Sequence, residues 1–266
     1  RQPLRRRPRR RTHRTGLAGD RVNISFPQTM LPRDSWELEQ VRERRLLLNR
    51  LDTWLFEEVK PFIGERVLEV GCGYGNLTQH LLSRQLVVGI DISPSSITTF
   101  QQRFFDQPRV HGFVCDITDP NVLELASWHF DTAIALNVLE HIEQEEQALE
   151  HIFQLLQPGG HFIVIVPALP ELYGSMDGSI GHFRRYTAES LRQRLEQKFS
   201  VHRLRYYNLL GIIGWWLNGK VLRRRVPPQG QLQLFNLLVP LIQTVERHIR
   251  IPVGLSLVAV ARKDIP

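Results

Sequence analysis

Cysteine is nearly absent: Cys72 and Cys115 are the only two in 266 residues, and they form no CxxC pair. That spacing offers neither a cysteine zinc site nor a disulfide scaffold, and it fits a reducing compartment, so a cytoplasmic location is expected and no metal is assigned. No apolar run approaches the ~20 residues that a membrane-spanning helix needs. Internal repeats are lacking too. No acid precedes Asp20, whereas Arg1, Arg5, Arg6, Arg7, Arg9, Arg10, Arg11 and Arg14 supply eight of the 34 basic residues. Residues 15–266 then hold 26 basic against 27 acidic groups, so the net charge of +7 belongs to a tail and the body is nearly neutral.

Residues 1–32 are expected to form a disordered basic tail and residues 33–266 a single domain. Such a tail suits nucleic acid or anionic lipid. It lacks the apolar core of a secretory signal, although an Arg-rich, acid-poor composition is also that of an organelle transit peptide. The neutral body shows no basic stripe that would track a phosphate backbone, so nucleic acid is not the expected partner.

What is present is an alternation of short apolar runs and helical patterns. Leu38, Val41, Leu46, Leu48, Leu51, Leu55 and Val59 predict one long helix over residues 34–59, closed by Pro61. Apolar runs at 67–70, 86–91, 110–116, 130–137 and 161–167 read as five strands, with a helix opening at Ser93-Pro94 and another running to Leu156 until Gln157-Pro158-Gly159-Gly160 stops it. Residues 201–207 and 255–262 supply two more strands, and a Thr-capped helix is expected over 187–198. The alternation predicts a parallel sheet covered by helices on both faces.

The stretch RVLEVGCGYGNLT, residues 66–78, carries the first candidate site. A strand runs into Gly71, Gly73 and Gly75, and a helix is expected from about Asn76. Glycines suit a turn that visits positive φ and lets a ligand lie against bare backbone. The third position of a dinucleotide fingerprint is Asn76, so a pyrophosphate is not the natural ligand. Acids close the first three strands, Glu69 just before the turn, Asp91 after strand two and Asp116 after strand three, while Asn137 ends strand four. An acid about 20 residues past the first glycine can accept the hydroxyls of a ribose. An amine, a ribose and an adenine amino group together describe S-adenosylmethionine.

Five motifs, VLEVGCGYG, GIDIS, VCDITD, FDTAIALNVLEHI and LQPGGHFIVIVP, resemble in order and spacing those of the class I S-adenosylmethionine-dependent methyltransferases, over residues 36–207 and the last strand. The resemblance implies a Rossmann-like three-layer α/β sandwich with a seven-stranded, mostly parallel sheet whose last strand is antiparallel. It also implies that Glu69, Gly71, Cys72 and Gly73 line the methionine part of the cofactor. Asp91 with Ile92 would take the ribose, Asp116 with the backbone of Ile117 the adenine, and Asn137 would lie near the transferred methyl. His141, His182 and Tyr186 are the candidate catalytic groups, histidine because it titrates near neutrality.

Residues 173–186 resemble the GHxRRY loop of a methyltransferase subgroup found in glycan and lipid assembly, and Tyr173, Asp177, Arg184 and Arg185 are candidates for orienting a polar acceptor. Residues 209–252 form an apolar helical insertion between strands six and seven. With Trp215, Trp216 and Arg223, Arg224 and Arg225 it suits a roof over the acceptor site that packs on the sheet, forms a dimer contact or touches a membrane peripherally. The expected activity is methyl transfer to a small-molecule, glycan-linked or lipid-linked acceptor. The alternatives are an RNA or protein methyltransferase using the basic tail, and a nicotinamide-dependent oxidoreductase.

Overall fold

The computed structural model describes residues 36–249 and 251–265; the expected basic tail, residues 1–32, lies outside them. Seven strands form one sheet: β1 (Arg66–Val70), β2 (Leu86–Asp91), β3 (Val110–Val114), β4 (Phe130–Leu136), β5 (Leu156–Pro167), β6 (Ser200–Tyr207) and β7 (Ser256–Arg262), in the order β3-β2-β1-β4-β5-β7-β6. β1 to β5 pair in parallel, and β7 is antiparallel to both β5 and β6. β6 therefore points the same way as the first five, as the Rossmann-like topology requires.

Successive residues of the central strands feed opposite layers, which explains why these strands read as continuous apolar runs. Leu68, Val88 and Phe162 pack into one core with Leu149 and Ile152 of α4 (Glu145–Leu155) and Leu191 of α6 (Ala188–Leu195). Val67, Val87 and Ile163 pack into the other with Trp54 and Leu55 of α2 (Asn49–Val59) and Val239 of the long helix near the C-terminus. Ser93 caps α3 (Pro94–Arg103) and Thr187 caps α6, each by accepting a backbone N–H through its hydroxyl, as their residue types predict.

Three local expectations need correction. The helix over 34–59 is broken: α1 (Trp36–Arg45) and α2 are separated by a 3-10 turn at Leu46–Leu48. The apolar steps from Val41 to Leu46 to Leu48 are five and two residues, which a straight helix cannot place on one face. The turn resets the phase, so Leu51, Leu55 and Val59 are buried while Leu46 stays exposed. After the glycines there is only a 3-10 turn at Thr78–His80 instead of a helix, because Leu77 and Leu81 both sink into the core while Thr78 is drawn down onto Glu69. Residues 157–160 belong to the irregular start of β5, where Gly159 sits at φ +81° and its N–H bonds Lys263.

β6 ends at Tyr207, level with Ser256 of β7 and Pro167 of β5. The insertion thus starts at the edge of the sheet where residues 168–186, the expected acceptor segment, also start. It folds as α7 (Leu209–Trp216), a π turn (Leu217–Val221) and α8 (Gln229–His248), and no described helix is long and apolar enough to cross a membrane. The acceptor segment itself contains α5 (Ser175–Ser179).

Candidate active site

The glycine turn has the conformation its sequence predicts. Gly71, Gly73 and Gly75 sit at φ +69°, +51° and +78°, a region where a Cβ is strained. Their surroundings differ. A Cβ on Gly71 would lie 2.4 Å from Val138, and one on Gly75 2.3 Å from Phe104, whereas one on Gly73 would meet nothing within 4 Å. Gly73 is thus the glycine that faces open space. The amides of Gly71 and Cys72 both donate to Ile90 O of β2, which folds the turn back over the sheet edge.

Asp91 holds this turn in place. One carboxylate oxygen accepts from Gly73 N at 2.9 Å and the other from Ser93 N at 2.8 Å. Ile92, next in the chain, is 38% exposed and offers an apolar surface beside that acid. Asp116 closes a tight turn by accepting from both the amide and the hydroxyl of Thr118, and Ile117 O bonds the His151 ring at 2.7 Å. Asn137 takes a positive φ of 53° at the end of β4. These groups share the carboxyl edge of the parallel strands, where ligands of open α/β sheets lie. An open glycine, an acid fixed beside it and an apolar flank fit an adenosine derivative.

Glu69 and Cys72 are placed differently from the residues around them. Burial pushes the Glu69 carboxyl up to about 8, and the Thr78 hydroxyl donates to it beneath the turn. What Glu69 does here is brace the turn from below. The Cys72 thiol packs toward Gly89 and Phe100, and burial raises its pKa well above the ordinary thiol value. Only its backbone belongs to the turn.

A second cluster forms where three segments meet: the turn after β4, residues 173–186 and α7. Asp177 is fully buried and accepts four hydrogen bonds, from His182 Nδ1 at 2.9 Å, Arg185 Nε at 2.7 Å, Gly174 N at 3.0 Å and Trp215 Nε1 at 3.1 Å. Burial alone would raise its pKa, but the His182 hydrogen bond and the Arg185 charge outweigh it and hold the carboxyl below its ordinary value. An ionised carboxylate only accepts, so His182 carries its proton on Nδ1 and leaves Nε2 as the basic atom. The His182 and His141 rings meet edge to face, 4.6 Å between centroids. Tyr173 donates to His182 O, and Ser175 and Ser179 bond carbonyls of Gly219, Arg224 and Arg225, so the insertion is laced onto the segment below it. Trp215 turns inward under the Arg185 guanidinium, 4.8 Å away.

Glu140 was not legible from the sequence, although it sits between Asn137 and His141. It is wholly buried, neither carboxylate oxygen has a hydrogen-bond partner, and Oε1 lies 3.8 Å from His182 Nε2. Burial pushes its pKa up to about 8. Ligand atoms of Glu140, His141 and His182 lie within 4.8 Å of one another, the one grouping among the described residues able to hold a cation. The expectation of no metal rests on cysteine spacing and does not bear on this trio.

The two adjacent arginines part company. Arg185 is buried on Asp177 and Ala168 O, while Arg184 reaches the other way to Glu145 and Glu143 O. Tyr186, a candidate catalytic group, is buried, its hydroxyl donates to Glu145 at 2.9 Å, and burial raises its pKa far above the phenol range. Tyr186→Phe is therefore expected to lower stability by about 1–3 kcal/mol, the cost of leaving a buried acceptor unpaired, with turnover unchanged. Thermal unfolding and a rate assay check this, and a large loss of turnover at unchanged stability would return Tyr186 to the catalytic set.

Residues 68–162 match a family described as a methyltransferase domain. A tRNA N(3)-methylcytidine methyltransferase of Schizosaccharomyces pombe is 36% identical over 123 residues, covering 41% of this chain and 50% of that protein. The mitochondrial ubiquinone biosynthesis O-methyltransferase of Homo sapiens is 34% identical over 110 residues, 40% of this chain and 29% of that protein. The chain thus spans half the length of the first relative and less of the second. Among solved structures, the N-methyltransferase NodS from Bradyrhizobium japonicum in complex with S-adenosyl-l-homocysteine superposes with a TM-score of 0.52 at 18% identity, covering 87% of this chain and 93% of that one. At that identity the likeness is one of fold.

Proposed function

We propose that the chain is a class I S-adenosylmethionine-dependent methyltransferase, a reading supported by its match to a methyltransferase-domain family, and that it methylates an oxygen of a small-molecule, glycan-linked or lipid-linked acceptor held against residues 173–186. When bound, S-adenosylmethionine supplies a methyl group on a positively charged sulfur, which becomes a neutral thioether once an acceptor oxygen has taken the methyl. The chain's own residues have three tasks. Asp91, Gly73 and Ile92 hold the adenosine end, with Asp116 and Ile117 beyond them. Positioning two reactants and excluding water supplies ~7–11 kcal/mol of such a displacement.

The third task is the acceptor's proton, and the observation that carries the reading is the Asp177–His182 pair. Asp177 fixes the ring and its tautomer, so Nε2 takes the proton. Glu140 Oε1, 3.8 Å from Nε2, is the carboxyl that faces that proton. His141 is partly exposed, and its ring meets that of His182 edge to face.

Calorimetric titration of the full chain with S-adenosylhomocysteine and with NAD tests the cofactor reading. S-adenosylhomocysteine is expected to bind and NAD not, and binding of NAD alone would overturn it. Asp91→Ala should weaken S-adenosylhomocysteine by ~1.5–3 kcal/mol, the worth of hydrogen bonds to a charged group, and unchanged affinity would place the ribose elsewhere. The fission-yeast relative favours a second reading, an RNA acceptor. Radiolabelled methyl transfer to bulk tRNA but not to extracted lipids or glycans would install it.

A further inference from the structure

The insertion presents two apolar faces, and the protein core uses one of them. On α8, Phe235, Val239 and Ile242 pack toward α2 and the sheet. One position earlier on the same helix, Leu234, Leu238, Leu241 and Val245 repeat the same spacing and are exposed, Leu241 at 66%. Leu237 stands beside them at 62%, and α7 adds Ile213 at 63% and Trp216 at 50%. Isolated apolar residues on a surface mean little, but a continuous apolar stripe on neighbouring helices marks a contact.

We propose that this face docks on the surface of an anionic bilayer. The charges of the insertion select that occupant. Residues 208–253 carry Lys220, Arg223, Arg224, Arg225, Arg247 and Arg250, and their only acid is Glu246. Glu246 is buried, with its two oxygens accepting the amides of Asn208 and Leu209. The insertion therefore shows water an apolar stripe and cations, with no exposed acid to oppose a negative surface. A second copy of the chain would bring the same positive charge against it. Amphipathic helices with Lys and Arg beside Trp and Leu lie in the plane of the headgroups, and each such cation near an anionic leaflet contributes about 1 kcal/mol. The geometry also gives docking a purpose, because the insertion begins at the edge where Pro167 ends and Trp215 touches Asp177. An acceptor carried on a lipid would arrive beside His182. That last step rests on the proposed acceptor class, whereas docking itself does not.

Flotation of the full chain with vesicles of phosphatidylcholine, alone or with phosphatidylglycerol added, tests the proposal. Floating with the anionic vesicles, weakened by salt, is expected. The double variant Leu237→Gln/Leu241→Gln should bind at least about tenfold less, and Lys220→Gln/Arg223→Gln about thirtyfold less, at ~1 kcal/mol per charge. Both should keep the wild-type melting temperature and S-adenosylhomocysteine affinity, since these side chains are exposed and away from the cofactor edge. The proposal fails if the wild type does not float, or if it binds both vesicle types equally. It also fails if the leucine variant floats like wild type, which would assign binding to the Arg-rich residues 1–14. A wild-type dimer that the leucine substitutions split, with no vesicle binding, would assign the face to self-association instead. Calorimetry with S-adenosylhomocysteine reads the cofactor independently of each of these outcomes.

Discussion

Asp177→Ala should destabilise the protein by about 3–5 kcal/mol, the range found when one partner of a buried ion pair is removed. The substitution leaves Arg185, almost wholly buried, with a positive charge that has lost its ion-pair partner and keeps the Ala168 carbonyl and the Trp215 ring. It also strands the Gly174 amide and the Trp215 indole N–H, which otherwise end on Asp177. Because those four donors come from α5, the GHxRRY stretch and α7, their loss should loosen the acceptor segment and the insertion together. Denaturant unfolding gives the magnitude, and hydrogen exchange should show the new opening confined to residues 173–186 and 209–221. A loss under about 1 kcal/mol would mean that water reaches Arg185 and compensates for the missing carboxylate. Asp177→Asn keeps the shape and two of the acceptor positions, so it should fall between the two.

The second large effect is on rate. His182→Asn should lower turnover by about 10²–10⁴, the usual worth of a positioned general base, with S-adenosylhomocysteine affinity within about twofold of wild type. An acceptor that needs no deprotonation would show little change, and loss of cofactor binding together with turnover would make His182 a structural residue. The same trio of Glu140, His141 and His182 has the spacing to hold a cation, and chelation separates the two roles. Turnover that survives EDTA supports proton transfer. Turnover that EDTA abolishes and a divalent cation restores would mean that His182 acts as a ligand.

The alternation of strands and helices and the shape of the glycine turn were legible because each depends on a local signal. Glycine at positive φ, an acid ending an apolar run and a Ser-Pro or Thr cap have their physical cause within a few residues of themselves. The departures have non-local causes. Nothing near Tyr186 announces that Glu145, 41 residues away, will take its hydroxyl. Nothing near Asp177 announces Trp215, 38 residues on. Glu140 stood in plain view in the LEHI motif, but its meaning comes from the chain of His182 folding over it. The missing helix after Gly75 had a readable cue: Thr78 follows the turn nine residues after Glu69, and a hydroxyl with a buried carboxylate in reach competes with regular helix.

The acceptor segment leaves the sheet at Ala168 and returns at Tyr186, and those two residues form a bridge to each other. Leu169 N donates to Tyr186 O, and Tyr186 N to Pro167 O. The two ends are therefore stitched together by backbone alone, whatever lies between them. Closing a loop whose mouth is already fixed costs only slightly more as it lengthens. The stretch from 169 to 185 hangs from a mouth closed at the sheet edge. Under the proposed function, the segment that would meet the acceptor is therefore anchored apart from the glycine turn and Asp91 that would hold the methyl donor.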